Sequence, residues 1–239
     1  MGYNLSMNNR ANKREVCLVL DVETAGSLEQ PLVYDLGVAV VERVSGRILE
    51  SHSLIIRDVF FDMSEAMESA YYADKLPLYY KGIRSGLFRV VRFWTAYRIV
   101  RDLMAKYGIR RVYAYNMAFD RRALNYTFRT ISGHYGYFFP RGTEFCCIWH
   151  MACQTILSQP TYRKFAYANN FVSPAGNIRT SAECAYAYIT GDCNFSESHT
   201  GLDDVRIEIA IMQKCIKQHK RMNNQIVWNP WQIPQVRSA

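Results

Sequence analysis

The sequence contains no apolar run approaching the roughly 18 residues of a membrane span, so no segment is expected to cross a bilayer. Met1 to Arg14 is polar and lacks the apolar core of a secretory signal. Met1-Gly2 with Ser6 fits the bare myristoylation pattern, but the bulky Tyr3 follows at once, and the stretch reads as unmodified. There is no repeat, no low-complexity tract and no linker that would separate two domains. Paired zinc-knuckle cysteines are also missing. The one metal-like cluster is Cys146, Cys147, His150 and Cys153, whose spacing suits buried thiols on a core helix better than zinc. The seven cysteines are odd in number, and Cys17 lies inside an apolar run, which points to reduced thiols and a cytoplasmic setting.

Acids are scarce in one region. Lys81 to Arg129 holds twelve basic residues against Asp102 and Asp120, a net +10, and the rest of the 239 residues nets −2, within a total of +8. Such local charge reads either as a basic face for an anionic partner or as a solvated helix face. Hydrophobic residues make up 49% and charged residues 21%, which fits a globular chain and excludes a disordered one.

The pattern alternates strands and helices. Val16 to Val22 reads as a buried strand ending in carboxylates. Leu32 to Glu42 and Arg47 to Arg57 read as two more strands joined by Val44-Ser45-Gly46, giving an antiparallel meander. Met63 to Tyr80 reads as an irregular helix broken by Pro77, and Arg89 to Lys106 as a helix ended by Gly108. Arg111 to Tyr115 is a short strand, Ala118 to Thr130 a helix, Thr143 to Ile148 a strand and Trp149 to Leu157 a helix. Thr161 to Arg179 reads as a loop. Thr180 to Glu183 reads as a capping box, and a last helix is expected from Gly201 to Lys220.

Three acid clusters sit at element junctions. Asp21 and Glu23 share one face of the first strand, read either as a strand end whose acids face water or as two buried carboxylates that repel, for which a divalent cation is the simplest compensation. Asp120 lies in the first turn of a helix that Asn116 is placed to cap. In His199-Thr200-Gly201-Leu202-Asp203-Asp204, Thr200 and Asp203 suit a capping box. His199 and Asp204 then occupy the two positions that normally form an apolar staple. An imidazole and a carboxylate there suit a base and a metal ligand sharing one site.

With Leu18 to Gly26, Ala114 to Asp120 and His199 to Asp204 in this order, the sequence resembles the DEDDh (DnaQ-like) family of 3′→5′ exonucleases, over roughly residues 16 to 216. Ala25, where many members have a second Thr, and the segment Asp58 to Phe88 depart from the family pattern. The resemblance implies an α/β, ribonuclease H-like fold. Its central mixed five-stranded sheet would combine the three-strand meander with parallel strands, flanked by helices. It divides the chain into a flexible segment over 1–15, an exonuclease domain over 16–220 and an extended tail over 221–239.

The resemblance further implies that Asp21, Glu23, Asp120 and Asp204 hold two divalent ions, Mg²⁺ or Mn²⁺, with His199 as general base. Thr24, Ala25, Gly26, Asn116 and Phe119 are the expected substrate-binding positions. The implied activity is hydrolysis of phosphodiester bonds from the 3′ end of DNA, in replication proofreading or repair. The implied partner is single-stranded nucleic acid or its 3′ ends, with a polymerase or replication protein as a further partner and no membrane. Two alternatives stay open: an RNA exonuclease of the RNase T or oligoribonuclease kind, and a non-catalytic nucleic-acid-binding or polymerase-associated module. His134, Tyr135, Tyr137, Phe138 and Phe139 form an aromatic cluster read either as filling beneath a loop or as a base-stacking surface.

Overall fold

The computed structural model describes residues 15–68, 70 and 73–223. The polar N-terminal stretch with Met1-Gly2, and the tail carrying Trp228 and Trp231, lie outside the described residues.

Strands β1 (Val16–Ala25), β2 (Leu32–Glu42) and β3 (Ile48–Ile56) form the expected antiparallel meander. Helices α1 (Arg57–Phe60) and α2 (Ser64–Glu68), a 3₁₀ turn (Ala73–Lys75) and α3 (Leu76–Arg84) follow. Next come β4 (Arg89–Val91), α4 (Phe93–Tyr107), β5 (Arg111–Ala114), α5 (Met117–Ser132), β6 (Glu144–Cys147) and α6 (Ile148–Gln154). Helices α7 (Pro160–Ala168), α8 (Ala182–Thr190) and α9 (Gly201–Ile216) complete the described chain. The strands make one mixed sheet in the order β4-β3-β2-β1-β5-β6, with β5 parallel to β1, β6 parallel to β5 and β4 parallel to β3.

Among the described residues the sheet therefore has six strands, one more than expected. Arg89 to Val91 is the addition: these residues pair with Leu54 to Ile56 at the sheet edge, and the helix starts only at Phe93. Helical spacing of apolar residues could not reveal this start, because its capping group is distant in sequence. Asp58 accepts a 2.7 Å hydrogen bond from the Phe93 amide and pairs with Arg92. Pro77 does not break a helix. It sits in the first turn of α3, where its missing N–H costs nothing. The stretch read as a loop from Thr161 contains α7, which likewise opens on a proline and buries Tyr162 and Ala166. Ser181, not Thr180, caps α8 by accepting from the Cys184 amide, while Thr180 accepts from the Trp149 indole at 2.8 Å.

Two cores flank the sheet. Leu18, Leu20 and Val22 of β1 point toward α1 to α5, and Cys17 and Val19 toward α6 to α9. Strand parity extends the second row to Asp21 and Glu23, so the carboxylates face the α9 side. The cysteine-histidine cluster is split by the sheet: Cys147 joins the first core, and Cys146 and Cys153 the second. Among the described residues no helix is long and apolar enough to cross a membrane.

Candidate active site

Asp21 pairs in register with Gly37 of β2, and Glu23 with Asp35. The β1–β2 register shifts just beyond, between Glu23 and Thr24, as strands do where a bulge re-aims side chains. Asp35 is fully buried. Its Oδ2 accepts from the Gly201 amide at 2.9 Å and from the Tyr79 hydroxyl at 2.8 Å. The same hydroxyl lies 3.0 Å from the carbonyl oxygen of His199. The start of α9 is thus tied to the sheet and to α3. His199 itself sits at φ 55°, a left-handed conformation that a non-glycine residue keeps only where its surroundings hold it.

Thr200 is the N-cap of α9, but its side chain does not close the expected capping box. The hydroxyl donates to Asp203 Oδ2 at 3.1 Å instead of accepting from an amide. Asp204 lies on the buried side of the first turn, while Asp203 faces outward and pairs with Arg206. Asp120, 3% exposed, enters from the first turn of α5, with Asn116 as N-cap at the end of β5.

Asp21, Glu23, Asp120, His199 and Asp204 all line one cavity of about 440 Å³. Donor atoms of Glu23, His199 and Asp204 all lie within 4.8 Å of one another. Asn116 and Phe119 also line this cavity, with Trp149, Thr180 and Ser181 on its wall. Thr24, Ala25 and Gly26 are not brought into that wall. Ala25 is fully buried in the core on the other face of the sheet, so its methyl group is not available to a ligand in the cavity.

Three acids of this region escaped the sequence reading. Asp35 is an acid inside an otherwise apolar strand, and that interruption was its signal. Glu197 lines the cavity two residues before His199, with Oε2 4.0 Å from the imidazole Nδ1. Glu208 lies one helical turn after Asp204 and also lines the cavity.

Burial and mutual repulsion push these carboxyl groups up. Burial raises Asp21 well above the ordinary range, with Glu208 and Asp120 adding to it. Glu23 is pushed up to about 9 by burial, then by Asp204 and Asp35. Asp204 is raised to about 8 by burial and Glu197. Burial raises Asp120 to about 7, and backbone amides partly offset it. His199 is lowered from its ordinary value, first by burial and then by Lys75.

A cavity walled this way takes up protons or a cation. Asp204 Oδ1 and Glu208 Oε2 are buried with no hydrogen-bond partner among the described residues. Oxygen donors of this kind fit a hard divalent ion such as Mg²⁺ or Mn²⁺.

The basic segment divides. Arg92, Lys106 and Arg111 are paired with acids from elsewhere in the chain: Asp58 and Asp62, Glu50, and Glu15 with Glu144. On α5, Arg122 lies over the ring of Phe119, and Arg129 over Tyr135 and Tyr137. The aromatic cluster divides too. Phe138 and Phe139 are buried filling, whereas Tyr135 is 94% and Tyr137 62% exposed.

No protein-family model matches the sequence, and no curated protein does. Solved structures do match. One is the nuclease domain of 3′hExo, a DEDDh family member, bound to rAMP: TM-score 0.56, 12% identity, 89% of this chain and 98% of that one. A second is a 3′-exonuclease in a structure of 3′-end-specific recognition of histone mRNA stem-loop: TM-score 0.53, 13% identity, 90% and 88%. A third is exonuclease I with bound product: TM-score 0.50, 14% identity, 85% of this chain and 43% of that one. The fold is that of the DEDDh exonuclease domains, in the ribonuclease H-like class.

Proposed function

We propose that the protein is a metal-dependent 3′→5′ exonuclease that hydrolyses the terminal phosphodiester bond of single-stranded DNA. The observation that carries this reading is the convergence of Asp21, Glu23, Asp120, Asp204 and His199 on one cavity. A non-catalytic module would have no reason to retain all five.

Asp21, Glu23, Asp120 and Asp204 are the groups that would hold two divalent ions, Mg²⁺ or Mn²⁺. When bound, such ions supply Lewis acidity and an activated water. His199 acts as the base at the edge of the carboxylates. Burial favours its neutral form, the form able to take a proton from water. Phe119 and Asn116, which line the cavity together with Trp149, receive the terminal nucleotide.

The strand leaves along α5. Phe119, Arg122, Tyr126 and Arg129 recur at spacings of three and four, so they share one face. That face runs roughly 15 Å from the cavity toward Tyr135 and Tyr137. Aromatic faces and guanidinium groups suit unpaired bases and phosphates. Replication proofreading or repair, beside a polymerase, is the proposed setting.

RNA is the second reading, supported by the neighbour bound to rAMP and the neighbour that recognises histone mRNA. The test is release of nucleotides from 5′-labelled single-stranded DNA, duplex DNA and RNA, with Mg²⁺, Mn²⁺ or EDTA. Stepwise shortening from the 3′ end that EDTA abolishes is expected, fastest on single-stranded DNA. Faster cleavage of RNA would favour the second reading, and no metal-dependent cleavage of any substrate would refute both.

A further inference from the structure

Glu208 is the acid that the four-carboxylate set leaves unexplained. It is 3% exposed, on the buried side of α9 among Val205, Ile209, Ile211 and Met212. Its Oε1 accepts from the Tyr115 amide at 2.9 Å, at the end of β5. Its Oε2 is buried with no hydrogen-bond partner among the described residues, on a residue that lines the same cavity as Asp21, Asp120 and Asp204. An anchor for one amide needs only a neutral acceptor. A second carboxylate oxygen, buried in a cavity already crowded with acids, is costly unless a cation meets it.

The position is fixed from two sides, by the i, i+4 relation to Asp204 on α9 and by the Tyr115 amide that leads into Asn116 and Asp120.

We propose that Glu208 is a fifth carboxylate of the metal centre, anchored through Oε1 and offering Oε2 as a further oxygen donor to the divalent cation held among Asp21, Asp120 and Asp204. This inference rests on the metal-dependent reading above.

The test is Mn²⁺ binding to the full chain, followed by calorimetry and by the metal-induced rise in Tm, with no substrate present. Glu208→Gln keeps an acceptor for the Tyr115 amide and removes the charge. In EDTA this variant should melt at or above the wild type, because a buried repulsion is gone. Its Mn²⁺ affinity should fall about 10- to 100-fold, the usual loss when a supporting group of a metal site is removed, and its metal-induced rise in Tm should shrink. Asp203→Asn, at a half-exposed acid on the same helix that pairs with Arg206, should bind Mn²⁺ as the wild type does.

Glu208→Gln with Mn²⁺ affinity within about twofold of wild type and the same thermal shift would overturn the proposal and leave Glu208 as an anchor only. A wild-type chain that binds no Mn²⁺ would overturn the metal-dependent reading and this inference together.

Discussion

Gly37 of β2 and Gly201 of α9 meet backbone to backbone. A Cβ on Gly37 would fall 2.0 Å from the Gly201 carbonyl carbon, and one on Gly201 2.5 Å from the Gly37 nitrogen. Gly37 is the cross-strand partner of Asp21. The close approach therefore lets α9 deliver Asp204 directly over the strand that carries Asp21 and Glu23. Gly37→Ala and Gly201→Ala should each destabilise the fold by about 1–3 kcal/mol or more, since backbone cannot yield as a side chain does. Denaturant melts measure the loss. A variant as stable as wild type would contradict the tight contact.

Tyr79 joins Asp35 to the backbone of His199. Tyr79→Phe removes the donor that Asp35 Oδ2 and the His199 carbonyl share, at a cost of about 1–3 kcal/mol. Because the left-handed His199 loses a restraint, kcat should fall more than KM changes. Steady-state kinetics on a variant checked for folding would test this, and an unchanged kcat would argue against the restraint.

His199→Ala should lower the rate by about 10²–10⁴-fold, the usual contribution of a positioned base. In the wild type the active form is the neutral imidazole, whose pKa is depressed by burial. With the metal saturating, so that its carboxylate ligands stay deprotonated, the rate should therefore rise with pH through an acid limb centred below the ordinary 6.5. The profile of kcat/KM reads this directly, and that limb should vanish in the variant. Asp21→Ala should do at least as much harm.

Stability should depend on pH in the sense opposite to a salt-bridged protein. The carboxyl groups of Asp120, Asp204 and Glu23 are raised to about 7, 8 and 9. The folded state then holds more protons than the unfolded chain. The stability from these groups is complete below their ordinary values near 4 and is lost as pH rises through about 7 to 9. In EDTA, Tm should fall between pH 5 and pH 9. Added Mn²⁺ should stabilise more at pH 8 than at pH 6, because its ligands must be deprotonated. A flat profile in EDTA would count against a buried acid cluster.

If the strand follows α5, Arg122→Gln with Arg129→Gln should weaken single-stranded DNA binding and flatten its salt dependence. Each phosphate contact to a single strand contributes about 0.7 to the slope of log K against log salt, so the pair should remove about 1.4. Binding in Ca²⁺ over a range of salt gives the slope. Arg92→Gln, which loses pairs with Asp58 and Asp62 instead, should leave it unchanged.

The meander, the strand-end acids and the motif order follow from the order of residues alone. The short, nearly continuous apolar runs Val16 to Val22 and Leu32 to Glu42, rich in Val and bounded by turn residues, suit strands buried on both faces, and parity alone puts Asp21 and Glu23 on one face. The same order also places Asp120 and Asp204 in first helical turns, because the residues before them are local helix starts.

Tertiary structure decided everything that depends on a partner far along the chain. β4 is a strand because Leu54 to Ile56 offers it a free edge, and α4 begins where Asp58 reaches its amide. Asp35 and Glu208 belong to the site only because Gly37 and Gly201 allow two backbones to touch, and because α9 packs against the end of β5. The net +8 was legible from composition. Which arginines border the cavity was not, since charge is a property of composition and proximity a property of the packed chain. Folding pairs Arg92, Lys106 and Arg111 with distant acids and leaves Arg122 over Phe119, at the wall of the site.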